Sequence, residues 1–288
     1  MVHARPIEDV IAELGEIAEG DKWEFGKQFS YVFDGPDLSE MTAEAMRLFA
    51  GSNGLDPTAF PSFLRFENDL VAFARSILHG DDGMRGSATS GGTESILLAS
   101  KAARDSLRSD GAEGRLNMVL PVTAHAAFHK AASYLDLEMR ITGVDDGFRA
   151  IPADIEAAID EQTALVVASA PSYTHGVVDP VAAIGEVTAR TGRWLHVDAC
   201  VGGMVLPFLD HAPAFDFAVD AVDSVSMDLH KYGYTPKGAS LVLHRDAERR
   251  SHQYFETAGW MGYPVANATV QSTKSATALA AAWASVQY

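Results

Sequence analysis

The sequence holds a single cysteine, Cys200, among 288 residues. It cannot form an intrachain disulfide, so nothing marks an oxidising compartment. Basic residues are scarce as well: 22 Lys and Arg stand against 39 Asp and Glu, a formal net charge of −17. Sequence-independent nucleic-acid binding needs clustered Lys and Arg against phosphate, and this balance argues against it. No apolar run approaches the ~18 residues of a membrane-spanning helix. Glu8 and Asp9 come before any apolar stretch, so the start of the chain is not expected to be a secretory leader. Hydrophobic residues make up 47% and charged residues 21%, which excludes a mostly disordered chain. A chain of this length buries the core of one large domain or two modest ones. The expectation is a soluble, cytoplasmic, enzymatic α/β protein.

Residues 7–17 place Ile7, Val10, Ile11, Leu14 and Ile17 on one helical stripe, with Glu8, Asp9, Glu13 and Glu16 off it. Such a helix must dock on its own domain or on a partner subunit. Between 26 and 61, Gly35-Pro36, Gly51, Asn53-Gly54 and Pro57 punctuate the chain, and only 38–48 reads as helix. Residues 1–60 are therefore expected to form an arm and 61–288 the main domain. There, a helix over 63–78 and a loop over 80–86 lead to a helix opening at Ser90-Gly91-Gly92-Thr93. Strand-like runs follow at 116–122, 139–144, 164–170, 193–198, 224–228 and 239–244, with helical patterns at 125–135, 153–159 and 181–191. The Ala-rich stretch 276–284 is a good helix former. This alternation predicts a mainly parallel sheet with helices on both faces, and ligands in such sheets bind beyond the carboxyl ends of the strands.

Three segments lie where that chemistry is expected. Thr89-Ser90-Gly91-Gly92-Thr93-Glu94-Ser95 opens a helix with glycines and hydroxyls, leaving backbone N–H groups and a positive helix end for a phosphate. It is neither a Walker loop nor a dinucleotide fingerprint, and a plain capped helix start reads the same way. Trp194-Leu195-His196-Val197-Asp198-Ala199-Cys200 delivers an acid at a strand end, where it needs a partner. His196 and Asp198, two apart on one strand, also make a minor case for a metal site. Ser226-Met227-Asp228-Leu229-His230-Lys231-Tyr232-Gly233-Tyr234 places a lysine beside aromatic residues with no acid on its C-terminal side. Such a lysine is expected to have a depressed pKa, and a neutral amine is what Schiff-base chemistry requires.

In this order, a phosphate cradle, a strand-end Asp and a strand-end His-Lys resemble the group II decarboxylase superfamily of pyridoxal-phosphate enzymes. Thr89–Ser95, His196–Gly203 and His230–Gly238 are most similar to its sphingosine-1-phosphate lyase branch, and Ala124-His125-Ala126-Ala127-Phe128 matches the same family. The resemblance implies a fold-type-I pyridoxal-phosphate-dependent transferase fold with a mainly parallel seven-stranded sheet. It implies that Lys231 forms the Schiff base and that Asp198 keeps the pyridine nitrogen protonated, making the ring an electron sink. His125 is implied to stack on the ring. Gly92 and Thr93, with His230, are implied to hold the cofactor phosphate. Tyr173, Thr174 and His175 are implied near the ring oxygen or the substrate, Lys237 near an anionic substrate group, and Ser272 at the phosphate of a neighbouring subunit's cofactor. A homodimer with shared sites follows from the same likeness.

The chain also departs from that branch. Gln271-Ser272-Thr273-Lys274-Ser275 replaces a Gly-Ser-Arg-Pro-Gly loop, Phe29-Ser30-Tyr31-Val32-Phe33 a Ser-Gly-Ala-Val-Tyr segment, and Leu55-Asp56-Pro57-Thr58 a Leu-His-Pro-Asp segment. The small C-terminal domain of the family is expected to be absent beyond Tyr288. The expected function is a pyridoxal-phosphate-dependent carbon–carbon lyase, foremost an amino-acid decarboxylase. The alternatives are aldol-type cleavage of a phosphorylated amino alcohol, or a truncated protein that binds the cofactor without turnover.

Overall fold

A computed structural model describes residues 5–21 and 35–288; the segment 29–33 compared above lies outside them. Strands β1 (Arg85–Thr89), β2 (Asn117–Pro121), β3 (Glu138–Thr142), β4 (Thr163–Ser169), β5 (Trp194–Asp198), β6 (Val222–Asp228) and β7 (Ser240–His244) form one sheet in the order β1-β7-β6-β5-β4-β2-β3. Only β7 runs against its neighbours, and the other pairings are parallel. The expected mainly parallel, seven-stranded sheet is therefore found. Six of its strands fall on the runs read from the sequence. The seventh corrects the loop expected over 80–86: the chain is already extended at Arg85, which faces His244 of β7. Arg85-Gly86-Ser87 has no apolar alternation to announce a strand, and at the sheet's edge none is required of it.

The sheet is covered on both faces, as parallel sheets are. Every residue of β4 is buried. Leu165 and Val167 pack with Ile96 of α4 (Gly92–Ser109) and Phe128 of α5 (Ala126–Leu135). Val166 and Ala168 share the opposite face with Ile155 of α6 (Pro152–Ala158) and Ile184 of α7 (Val181–Thr191). The alternation is the two-residue period of a strand, and each fully buried aliphatic side chain stabilises the fold by about 1.5–3 kcal/mol.

Helix α1 (Ile7–Glu19) has no buried residue, and Ile7, Ile11, Leu14 and Ile17 of its apolar stripe are each more than half exposed. Helices α2 (Pro36–Leu48) and α3 (Pro61–Ile77) pack against α9 (Thr277–Gln287). Two backbone bonds, Gly54 N–H to Lys274 O at 2.8 Å and Ala276 N–H to Ser52 O at 2.9 Å, tie the segment between α2 and α3 to the strap that precedes α9. A short helix, α8 (Ala247–Ser251), precedes a hairpin of β8 (Phe255–Thr257) and β9 (Val265–Asn267), whose turn exposes Trp260, Met261 and Tyr263.

Candidate active site

The carboxyl ends of β5 and β6 and the amino end of α4 enclose a cavity of about 310 Å³. Gly92, Thr93, His125, Tyr173, Asp198, His230 and Lys231 line it. Seven of the eleven residues that the resemblance singles out thus meet in one place, from segments between 92 and 231. The volume is within the usual range for a small-molecule site, about 300–1,000 Å³.

Gly92 and Thr93 supply first-turn N–H groups of α4, which no intrahelical carbonyl satisfies, at the helix's positive end. Gly92 is there because nothing larger fits: a Cβ would lie 2.6 Å from Cys200 Sγ and 3.0 Å from both carboxylate oxygens of Asp228. Glu94 stiffens this corner. Its Oε2 accepts 2.7 Å bonds from the Ser90 N–H and hydroxyl, and its Oε1 accepts from the Val270 N–H at 2.9 Å. A Glu at the third helical position reaching back past the cap is close to a capping box. That pattern is visible in the sequence, whereas the bond to Val270 is not.

Asp198 ends β5. Its Oδ1 accepts from the Cys200 N–H at 3.1 Å and from the Ser226 hydroxyl at 3.2 Å, both neutral donors. Behind it, His196 is fully buried, with Nδ1 2.8 Å from Ser224 Oγ and Nε2 3.2 Å from Ser226 Oγ, while Trp194 Nε1–H donates to Ser224 Oγ at 2.8 Å. Burial, then the charge of His244, push the His196 pKa down to about 3. With both ring nitrogens engaged by hydroxyls, His196 is a packed strand histidine rather than half of a metal site. Just beyond, Gly202 lets the turn pass the Ala170 carbonyl, with which a Cβ would collide.

His125 caps α5, its Nδ1 accepting from the Ala127 N–H at 3.1 Å. In the neutral ring this places the proton on Nε2. The imidazole meets Tyr173 edge to face, with centroids 5.9 Å apart.

The expectation for Lys231 is corrected. An acid does face it, from the N-terminal side: Lys231 Nζ lies 3.0 Å from Asp228 Oδ2. Burial pulls the lysine's pKa down, but the Asp228 charge and hydrogen bond, with Cys200 and Asp198, outweigh burial and hold it above the ordinary lysine value. His230 Nε2 is 3.5 Å from the same Asp228 oxygen, and its Nδ1 accepts from the Ala239 N–H at 3.2 Å. Burial leaves His230 below the usual histidine range despite Asp228. Cys200, also in the wall, has its thiol pushed well up by burial and then by Asp198 and Asp228.

Four singled-out residues do not line the cavity, among them Thr174, whose Oγ1 lies 2.8 Å from His175 Nδ1. Lys237 donates to the His230 carbonyl at 3.0 Å, and burial followed by repulsion from Lys231 lowers its pKa. His175 stacks on Phe148, with centroids 4.0 Å apart. Ser272 is exposed. Nearby Lys274, in place of the branch's arginine-bearing loop, bonds to Ala88 O at 3.0 Å and Glu67 Oε1 at 3.3 Å, anchoring the strap to β1 and α3. Asp228 and Glu94 are the site residues that sequence reasoning missed, although both lie inside quoted motifs.

The donor set fits pyridoxal phosphate: a helix amino end and a hydroxyl for a phosphate, a strand-end carboxylate for a ring nitrogen, a half-buried imidazole for a ring face and a lysine for a carbonyl. One buried polar atom in the wall, Asp228 Oδ1, has no hydrogen-bond partner among the described residues.

Comparison with known proteins agrees. The pyridoxal-dependent decarboxylase conserved domain matches residues 7–273. Sphingosine-1-phosphate lyase 1 of Mus musculus is 36% identical over 287 residues, covering 97% of this chain and 50% of the relative. A probable L-tyrosine/L-aspartate decarboxylase of Methanoculleus marisnigri is 38% identical over 208 residues, covering 72% of this chain and 56% of the relative. The solved sphingosine-1-phosphate lyase of Burkholderia pseudomallei superposes with a TM-score of 0.93 at 34% identity, covering all of this chain and 69% of that one. The chain spans about half the length of the curated relatives it matches.

Proposed function

The chain belongs to the pyridoxal-dependent decarboxylase family, and from that premise we propose that it is a pyridoxal-phosphate-dependent carbon–carbon lyase acting on small primary amines through Lys231. The carrying observation is the convergence of Gly92, Thr93, His125, Asp198, His230 and Lys231 on one cavity.

Bound pyridoxal phosphate supplies an electron sink for the pair left behind when a bond to the substrate's amine-bearing carbon breaks. The protein's part is positional and electrostatic. Gly92, Thr93 and His230 would hold the phosphate, and Lys231 would present its amine to the cofactor carbonyl. Asp198, whose Oδ1 accepts from the neutral Cys200 N–H and Ser226 hydroxyl, would hold a proton at the ring nitrogen. His125, its orientation fixed by the Ala127 N–H, would cover a ring face. Tyr173 stands at the rim for the substrate, with His175 and Lys237 in the neighbouring loops.

Which bond breaks divides the proposal. Loss of CO2 from an amino acid is the first reading, and the similarity to a probable amino-acid decarboxylase supports it. Aldol-type cleavage of a phosphorylated amino alcohol is the second, supported by the match to sphingosine-1-phosphate lyases over nearly the whole chain. The proposal includes a cytoplasmic homodimer in which Ser272 serves the neighbour's site. Its exposure outside its own cavity and the uncovered stripe of α1 support this, and the single cysteine suits a reducing compartment.

Borohydride reduction of the cofactor-saturated protein, followed by peptide mapping, is expected to place the pyridoxyl group on Lys231. A label on another lysine, or none, rejects the proposal. Parallel assays for released CO2 and released aldehyde then decide between the two readings.

A further inference from the structure

Asp228 has no role in the chemistry above, yet its carboxylate lies 3.0 Å from the lysine's amine. Its side chain is 2% exposed at the end of β6, under the amino end of α4. A carboxylate that deep is unfavourable unless a cation or several donors offset it. The groups that face it come from each packed element. His230 and Lys231 come from the turn after β6, Lys237 from the loop before β7, and Cys200 from the turn after β5; Asp198 adds its charge at Lys231. His230 stands farther off, 3.5 Å against 3.0 Å for Lys231, and Lys237 spends its ammonium on a carbonyl. Lys231 is therefore the cation that this carboxylate requires, and the carboxylate is the reason a half-buried ammonium persists there.

We infer that Asp228 is the resident counter-ion of Lys231, a positioning residue that holds the amine charged and in place in the cofactor-free protein and so sets the pH at which it becomes a nucleophile. The inference rests on Lys231 being the cofactor lysine. It also explains Gly92, because the carboxylate occupies the space that a Cβ would need.

The sign follows from the competing causes. Burial favours the neutral amine, while Asp228, with Cys200 and Asp198, favours the charged one. An opposite charge within about 4–6 Å moves a pKa by about 1–3 units. Neutralising Asp228 therefore brings forward, to lower pH, the point at which Lys231 can attack a carbonyl.

The test is competitive acetylation of the cofactor-free protein with trace acetic anhydride across a pH series. Peptide mass spectrometry compares Lys231 with exposed Lys130 in the same molecules. In the wild type the Lys231 midpoint is expected above the ordinary lysine value. In Asp228→Asn it is expected about 1–3 pH units lower than in the wild type, with Asp228→Glu restoring most of the shift. An Asp228→Asn profile that superimposes on the wild type overturns the inference. So does a wild-type midpoint below the ordinary lysine value, which needs no variant to fold. Borohydride mapping on the same preparation separates the two claims: a pyridoxyl group absent from Lys231 refutes the proposed function, while the acetylation shift still reports the counter-ion.

Discussion

The ends of β5 and β6 are neighbours in the sheet, and each closes on a buried aspartate, but the two carboxylates are held by opposite means. Asp198 is 8% exposed and rests on a backbone N–H and a serine hydroxyl, neither of which carries charge. Asp228 is 2% exposed and faces a lysine and a histidine. Identical residues, one strand apart, thus differ in what they have left to offer. The β5 carboxylate keeps its charge for something that enters the cavity. The β6 carboxylate has already committed its charge to the protein.

The comparison breaks first under amide substitution. Asp198→Asn is expected to lower turnover of the cofactor-loaded protein by about 100-fold or more, the scale seen when a single electrostatic contact to a transition state is lost. It should cost only ~1 kcal/mol of stability, because Ser226 and Cys200 can still donate to the amide oxygen. Asp228→Asn should show the larger stability loss of the two, since it strips the counter-ion from a half-buried lysine. Urea denaturation and steady-state assays on both variants check this, and a reversed order of stability losses would erase the distinction.

A smaller effect comes from the corner where the two strand ends meet α4. Gly92→Ala is expected to weaken equilibrium binding of pyridoxal phosphate through an overpacking cost of about 1–3 kcal/mol. Adding Cys200→Ala removes the nearer obstacle, the sulfur at 2.6 Å, and should recover part of the loss. The Asp228 oxygens at 3.0 Å should keep recovery incomplete. Full recovery would show that the β6 carboxylate does not press on the cradle.

The smallest effect near neutrality, and the sharpest in sign, is the pH dependence of folding. His196 on the β5 side has its pKa lowered from 6.5 to about 3. The unfolded chain therefore takes up a proton below pH 6.5 that the folded one refuses, and stability falls as pH drops through that window toward 3 by up to ~1.4 kcal/mol per unit. On the β6 side the raised pKa of Lys231 contributes stability that is fully present below 10.5 and is lost as pH rises through the folded value. Denaturant titrations across pH should show His196→Gln flattening the acid limb and Asp228→Asn the alkaline one. Equal changes in both limbs from either variant would contradict the separation.

Much of this was legible in the sequence because the sheet writes itself as alternating apolar runs and the chemistry sits just past their ends. Asp198 and Lys231 could be picked out that way. The partner of Lys231 could not: Asp228 is the last residue of a strand-like run, and only the turn after β6 folds the lysine back over it. β1 escaped because Arg85-Gly86-Ser87 is polar where a strand pairs on one side only. Glu94 reads as a helix-start glutamate, and its bond to Val270 spans most of the chain. His175 and Ser272 came from resemblance alone. Their positions, one stacked on Phe148 and the other exposed on the strap, depend on loop conformations that no local pattern encodes.

The hydrogen bonds behind Asp198 also have a direction. Trp194 has only an N–H to give, so Ser224 must receive it and point its own hydrogen at Nδ1 of His196. At the far end Ser226 spends its hydrogen on Asp198, so it must receive one from Nε2 of His196. Every link therefore points the same way, from an indole on β5, twice across to β6 and back, to the carboxylate at the rim. A protonated imidazole would donate from both nitrogens and collide with the hydrogen arriving from Ser224, so the neutral ring is dictated by the order of the chain as well as by burial. Such one-way relays polarise each member in the same sense, and here the accumulated pull arrives at Asp198.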